Sequence, residues 1–270
     1  MMKIREIQTV EIPQLKKIPP EEWNIDLPQL IAFHFGYQYY YPVIAEIDGG
    51  IAGFGNALVN GKIGWLGNIS VLPEFRKQGI GYALTMHLVE YCKSKGCTTQ
   101  ILSSSEMGVS MYKRIGFQPE TNYLFFKGEP KTWYTIHANI RRIVQDDIPY
   151  LAGLDLEISG EERFPFIERF FSTGWVFTAD FSPEIRGLYL PDMGNGLIFA
   201  RDEKAGVELM RFRWSKGKKN AVIPSDNKAA QIVLQSEGFL QYREAPRMVL
   251  GEEVFWKPQS VFNRGTGYCG

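Results

Sequence analysis

The sequence is short of the features that would direct it to a charged partner, a membrane or an oxidising compartment. Its thirty basic and thirty acidic residues cancel, so no net field recruits nucleic acid or an anionic bilayer. No apolar run approaches the ~20 residues of a membrane-crossing helix. The opening Met1-Met2-Lys3-Ile4-Arg5-Glu6 lacks the apolar centre of a secretory leader. Among 270 residues there are only three cysteines, Cys92, Cys97 and Cys269. Three cannot all pair and none has a metal-ligand spacing, which suits a reducing cytoplasm and leaves no metal expected. What remains, 44% hydrophobic and 22% charged residues, is the composition of a soluble globular protein with ample core. The length admits one large domain or two ordinary ones. The one short basic run, Lys216-Gly217-Lys218-Lys219, reads as a solvated turn.

Apolar periodicity gives a coarse map. Glu6 to Glu11 reads as a strand, with Pro13 opening a short helix through Leu15. After the aromatic segment His34–Tyr41 come three strands, Val43 to Ile47, Ile51 to Val59 and Lys62 to Val71. They are separated by Asp48-Gly49-Gly50 and Asn60-Gly61, hairpin turns whose residues tolerate positive φ. Ile80, Leu84, Leu88 and Cys92 then recur at helical spacing up to Lys95-Gly96. A strand over Thr98–Leu102, a short helix over Ser105–Arg114, a strand over Tyr123–Lys127 and a linker at Gly128–Lys131 complete the first half. The second half repeats the plan. Ile12-Pro13-Gln14-Leu15 recurs as Ile148-Pro149-Tyr150-Leu151, and Ser105–Phe117 aligns with Asn227–Phe239. Strands are expected at Trp175–Thr178, Ile185–Leu190 and Gly196–Ala200, and a helix at Asp202–Trp214. The fold class that follows is α+β in two tandem domains, 1–130 and 131–270.

Between the strand ending at Val71 and the helix opening at Ile80 lies Arg76-Lys77-Gln78-Gly79-Ile80-Gly81. A glycine-bearing loop that runs straight into a helix aims free main-chain N–H groups and the positive end of the helix dipole at one point. A pyrophosphate fits there well; the plainer alternative is an ordinary glycine-rich turn.

The ordered set of antiparallel strands, Arg-x-x-Gly-x-Gly loop, helix, strand, tyrosine-bearing helix and Gly-Phe, spread over Ile69–Phe117, resembles the GCN5-related N-acetyltransferase (GNAT) superfamily. The second half, through Leu154-Asp155-Leu156-Glu157, Glu162-Arg163 and Val222–Asn227, resembles the C-terminal domain of tandem members. The resemblance implies two GNAT-like domains, each a mixed, largely antiparallel sheet flanked by helices. It implies acetyl-CoA as co-substrate, held by main-chain N–H groups of Gln78, Gly79, Ile80, Gly81 and Tyr82, with Arg76 and Lys77 at the mouth. Ile69, Ser70 and Val71 would pair with the pantetheine arm. Ser105 stands where many relatives have a cofactor-contacting asparagine, which Asn227 keeps in the second copy. Tyr112 stands where relatives keep a tyrosine that protonates the departing CoA thiolate, against the plainer reading of a core aromatic.

The second copy departs from the pattern. After Ala200 comes Arg201-Asp202-Glu203-Lys204-Ala205-Gly206, with acids where a pyrophosphate would approach, and Leu234 replaces the tyrosine. Val222 occupies a position where related sequences tend to have aspartate. One competent cofactor site per chain is therefore expected, in the first domain.

Direct attack needs a neutral amine, so something must take its proton. The segments Gly64–Val71 and Thr98–Ser105 carry no carboxylate. The base is left among Glu106, an acid on an earlier strand such as Glu46, a water chain, His34, or a group from the second domain, where Asp155 and Glu162 are the candidates. Asp155 and Arg163, with His34 and Tyr37 of the aromatic segment, are the acceptor-side candidates; solvated helix residues and packing rings are the plainer alternatives. The expected activity is N-acetylation of a small-molecule or peptide amine. A non-catalytic CoA-binding scaffold and a transferase of aminoacyl or longer acyl groups stay open, and nothing in the sequence fixes the oligomeric state.

Overall fold

The computed structural model describes residues 2–23, 25–129 and 134–269. In chain order the first half holds β1 (Met2–Glu6), a 3₁₀ helix (Thr9–Lys17), α1 (Leu27–His34), β2 (Tyr40–Ile47), β3 (Gly50–Asn60), β4 (Ile63–Val71), α2 (Ile80–Ser94), β5 (Thr99–Ser103), α3 (Val109–Ile115) and β6 (Gln118–Lys127). The second half holds β7 (Ile140–Arg142), α4 (Ile148–Ser159), α5 (Phe164–Ile167), β8 (Trp175–Thr178), β9 (Ile185–Leu190), β10 (Leu197–Ala200), α6 (Glu203–Ser215), β11 (Asn220–Pro224), α7 (Lys228–Ser236), β12 (Leu240–Gly251) and β13 (Val261–Asn263). The fold is α+β with two mixed, largely antiparallel sheets.

The chain forms two compact units. The first runs to Gln118 and takes in Met248–Glu253 and Cys269; the second comprises Pro119–Arg247 and Val254–Tyr268. In the first, β1, β2, β3 and β4 are antiparallel neighbours and β4 pairs in parallel with β5. The end of β12 lies next to β5, where Glu252 N–H donates to Thr98 O and Thr99 Oγ1 to Glu252 O. Gly251, at φ +108°, runs so close to Thr98 that a Cβ there would stand 2.1 Å from its carbonyl oxygen. Leu84 and Leu88 of α2 press on this sheet against Ala57 and Leu66. In the second unit β7, β8, β9 and β10 form an antiparallel sheet extended by β13. There β11 pairs with β6, and β6 neighbours β12. Its core centres on Trp214, Phe212, Phe239 and Leu209.

Both expected hairpins form, with positive φ at Asp48, Gly49 and Gly61. The expected strand over Glu6–Glu11 is corrected: β1 ends at Glu6 and a 3₁₀ helix covers Thr9–Lys17. The Glu11 carboxylate bends back to accept the Gln8 N–H at 2.8 Å and is clamped by Arg5, which draws the chain into a turn. The linker expected at Gly128–Lys131 lies partly outside the described residues.

Candidate active site

The strand before the glycine loop is bent on purpose. Phe54 faces Ser70 and Asn56 faces Gly67, so Gly55 of β3 stands opposite both Asn68 and Ile69. This is a β-bulge, with Asn68 at φ +54°. Asparagine tolerates that conformation and fixes it here by donating from Nδ2 to Asn56 Oδ1 at 2.7 Å. Gly55 leaves room for the bulge, since a Cβ there would come within 3.1 Å of Leu88 Cδ1 and 3.2 Å of Ile69 Cγ1. Ahead of the bulge β4 already leaves β5: the parallel ladder holds only Ile63–Thr99, Gly64–Gln100 and Trp65–Ile101, while β4 continues to Val71. The main chain over Gly67–Val71 thus has an open side toward β5. Ser70 is buried, its Oγ donating to Ile18 O at 2.8 Å. Ile69 and Val71 are half-buried.

The open strand leads to the helix start. Arg76 folds its Nε onto Val71 O at 3.0 Å, and Gln78 its Nε2 onto Glu74 O at 3.3 Å. Lys77 and Gly79 both have positive φ, +61° and +80°. Gly79 is the N-cap of α2 and no side chain caps it. The first helical bond is Ala83 N–H to Gly79 O at 3.0 Å, so the N–H groups of Ile80, Gly81 and Tyr82 stand outside the ladder. A Cβ on Gly81 would meet Met111 Sδ at 3.6 Å and Val71 Cγ2 at 3.9 Å, ordinary contacts. Packing therefore does not require glycine at 81. Close approach of an anion to the main chain would.

Tyr112 of α3 is buried to 8% exposure, its ring edge-to-face with Phe117. Gly108 makes room for it: a Cβ at 108 would be 2.8 Å from Tyr112 Cε2. Burial pushes its hydroxyl above the ordinary value of 10, so the group stays protonated and able to donate. Ser105 precedes the 3₁₀ turn Glu106–Gly108 and its carbonyl accepts from Ser104 Oγ at 2.7 Å. Glu106 is exposed at the start of that turn.

On the acceptor side, His34 is buried at the end of α1 beside Tyr40, ring centroids 5.2 Å apart, while Tyr37 stands 45% exposed and stacked on Tyr39. Glu46 is engaged in an ion pair with Arg5 at 2.6 Å. Asn56, which the sequence gives no reason to single out, is fully buried and its Nδ2 has no partner. The paired small residues Gly55 and Gly67 around Asn68 are the signal in the sequence for this bulge.

The sequence profile of the acetyltransferase (GNAT) family matches residues 4–117. A Bacillus subtilis protein assigned as a [ribosomal protein bS18]-alanine N-acetyltransferase is 30% identical over 107 residues, 37% of this chain and 71% of that protein. The chain belongs to the GNAT acetyltransferase family. It is also similar to the glucosamine 6-phosphate N-acetyltransferase of Trypanosoma brucei brucei, 41% identical over 56 residues. That match covers 21% of this chain and 38% of that enzyme. Among solved structures, an acetyltransferase-assigned protein of Pyrococcus horikoshii superposes with TM-score 0.83 at 18% identity, covering 100% of this chain and 96% of its own. A tandem GNAT protein from the clavulanic acid biosynthesis pathway gives 0.64 at 11% identity, covering 93% and 98%. At these identities the likeness is one of fold: two tandem GNAT-like domains.

In the second GNAT-like unit the features of the first are closed. Asp202 caps α6 with its own carboxylate, accepting Ala205 N–H at 2.9 Å, and Arg186 grips the other oxygen at 2.9 Å. Between β10 and β11 lies β13. Ile198 pairs with Asn263 and Phe199 with Val261, while on the other side Arg264 N–H donates to Val222 O at 2.6 Å. Asn263 Oδ1 accepts Val222 N–H at 2.9 Å, and Asn227 Nδ2 donates to Val261 O at 3.1 Å. The Phe262 ring lies on Gly206 so tightly that a Cβ there would be 2.3 Å away. Val222 and Asn227 are thus engaged with a peptide strand. Asp155 and Arg163 are brought together, but on each other. Arg163 Nη2 lies 2.8 Å from Asp155 Oδ1, with side chains 0% and 3% exposed, so neither is a solvated helix residue.

Proposed function

We propose that the chain is an acetyl-CoA-dependent N-acetyltransferase acting on an amine of a small molecule or peptide by direct attack. The observation that carries this is the parting of β4 from β5 after Trp65–Ile101, with β4 leading into an uncapped α2 N-terminus. The N–H groups of Gln78, Gly79, Ile80, Gly81 and Tyr82 would hold the pyrophosphate, with Arg76 and Lys77 adding positive charge. Ile69, Ser70 and Val71 would offer main-chain partners to the pantetheine arm, and Ser105 would border the cofactor. Once the amine has attacked the thioester carbonyl, Tyr112 would protonate the CoA sulfur as the C–S bond breaks. The amine's proton would leave through Glu106 or a water chain. The orphaned Asn56 Nδ2 beside the bulge supports the water route, because a buried donor without a protein partner is a site for an ordered water. The first domain would bind the cofactor.

The second reading, a CoA-binding scaffold without turnover, is favoured by the absence of a carboxylate on β4 and β5. Calorimetric titration of acetyl-CoA into the intact chain, followed by thiol-release assays over a panel of amines, separates the two. Saturation near one site per chain with amine-dependent CoA release supports the enzyme. Binding without release supports the scaffold, and no binding overturns both.

A further inference from the structure

Helix α2 ends in a Schellman motif: Cys97 N–H donates to Cys92 O at 3.0 Å and Gly96 N–H to Lys93 O at 2.9 Å, with Gly96 at φ +85°. In this motif the two residues joined by that outer bond, five apart in the chain, touch through their side chains, and the usual occupants are apolar. Here both are cysteines. The outer bond, with main-chain bonds of about 1.5 Å on each side, keeps the two Cα atoms within roughly 7 Å, the span a disulfide bridges. The sulfurs also converge on one point. A Cβ on Gly64 of β4 would be 2.5 Å from Cys92 Sγ and 3.5 Å from Cys97 Sγ, so glycine there is what admits the two thiols. Both cysteines are free thiols.

A cavity of about 280 Å³ opens beside them, lined by Met86, Val89, Lys93, Cys97, Ile115 and Leu250 among others. Cys97 faces it, whereas Cys92 is fully buried behind. We propose that Cys92 and Cys97 form a peroxide-oxidisable dithiol, closing to an intrachain disulfide at the end of α2. The Cys97 thiolate attacks a peroxide oxygen, forming an S–O bond and breaking O–O; the departing hydroxide takes a proton to become water. Cys92 then attacks the Cys97 sulfenic acid, forming S–S, breaking S–O and releasing a second water with the Cys92 proton. Two thiols are oxidised by two electrons and one hydrogen peroxide is reduced. The order of attack follows from access, since Cys97 lines the cavity and Cys92 is buried behind it; the side-chain interaction between them lowers the Cys97 thiol and, with burial, raises that of Cys92.

The test treats the folded full chain with hydrogen peroxide, then unfolds it and alkylates the remaining thiols. The expected result is a loss of two alkylation sites, reversed by dithiothreitol. Trypsin, cutting after Lys93 and Lys95, should yield the peptide ending Cys92-Lys93 linked to the one beginning Gly96-Cys97. In Cys92→Ser, peroxide should stop at a Cys97 sulfenic acid that dimedone captures. Three retained thiols, a bridge that involves Cys269, or Cys97 over-oxidation with no bridge in the unsubstituted chain would overturn the proposal. The mass readout needs no variant, so poor folding of a serine substitution leaves it decisive.

Discussion

The carbonyls of Tyr112 and Leu234 accept the same hydrogen bond at the ends of two different helices. Phe117 N–H reaches Tyr112 O at 3.0 Å, and Phe239 N–H reaches Leu234 O at 2.9 Å. The glycines between, Gly116 and Gly238, both take positive φ. The two residues are therefore equivalent positions of a duplicated unit, one bearing a phenol and the other an aliphatic chain at the same helix end. The backbone needs neither side chain in particular, which separates the Tyr112 hydroxyl from the demands of the fold.

Tyr112→Phe should keep the ring packing on Phe117 and lose the proton donor. Turnover should fall by roughly 10²-fold, with acetyl-CoA affinity within about threefold by calorimetry. Unchanged turnover would remove the general-acid role.

Gly81→Ala adds a methyl group in ordinary contact with Met111 and Val71. Melting temperature should hardly move, whereas acetyl-CoA affinity should drop at least about tenfold, equivalent to ~1.4 kcal/mol; Gly81→Glu should abolish binding. A melting temperature that falls together with affinity would make the glycine a packing requirement instead.

The bulge is testable at Asn68. Valine cannot sit comfortably at φ +54°, so Asn68→Val should cost about 1–2 kcal/mol in urea denaturation and weaken acetyl-CoA binding. Asn68→Gly should restore most of the cofactor affinity.

Arg163 and Asp155 satisfy each other in the interior of the second unit. Removing one partner leaves a buried charge, so Asp155→Ala should destabilise by ~3–5 kcal/mol, measured by chemical denaturation. The double substitution Asp155→Leu/Arg163→Met should recover much of that loss. An unchanged unfolding midpoint with an altered acceptor KM would return the pair to substrate binding.

Arg5 holds the Glu11 carboxyl at about 2, below its ordinary 4.5, chiefly through its side-chain hydrogen bond. A depressed carboxyl stabilises the fold when ionised. Its contribution is complete above about pH 4.5 and is lost as the pH falls toward 2. Glu11→Gln should flatten the acid limb of the stability profile in that window and leave the neutral region's slope unchanged.

What the sequence disclosed was what is local. The Asp48-Gly49 and Asn60-Gly61 turns, the start of α2 at Ile80 and the strands Trp175–Thr178 and Ile185–Leu190 carry their instructions within a few residues. Glu6–Glu11 misleads because its β-branched Ile7, Thr9 and Val10 suit a strand, while the Arg5–Glu11 clamp that makes the turn is a side-chain event. Strands β12 and β13 are illegible for another reason: their partners lie far off in the chain. The glycine loop of the candidate site is plain in the sequence. The bulge and the unpartnered Asn56 beside it depend on cross-strand register, which no short window contains.

Met248–Gly251 beside β5 has a consequence for biosynthesis. At ~5–20 residues per second, the ribosome delivers that strand roughly 7–30 seconds after β5. Until then the first unit exposes an open sheet edge at β5, and the second still lacks β13 between β10 and β11. Neither half can finish as it is made. A nascent chain stalled between α7 and β12 should therefore be protease-sensitive in both units at once, although the glycine loop was synthesised long before.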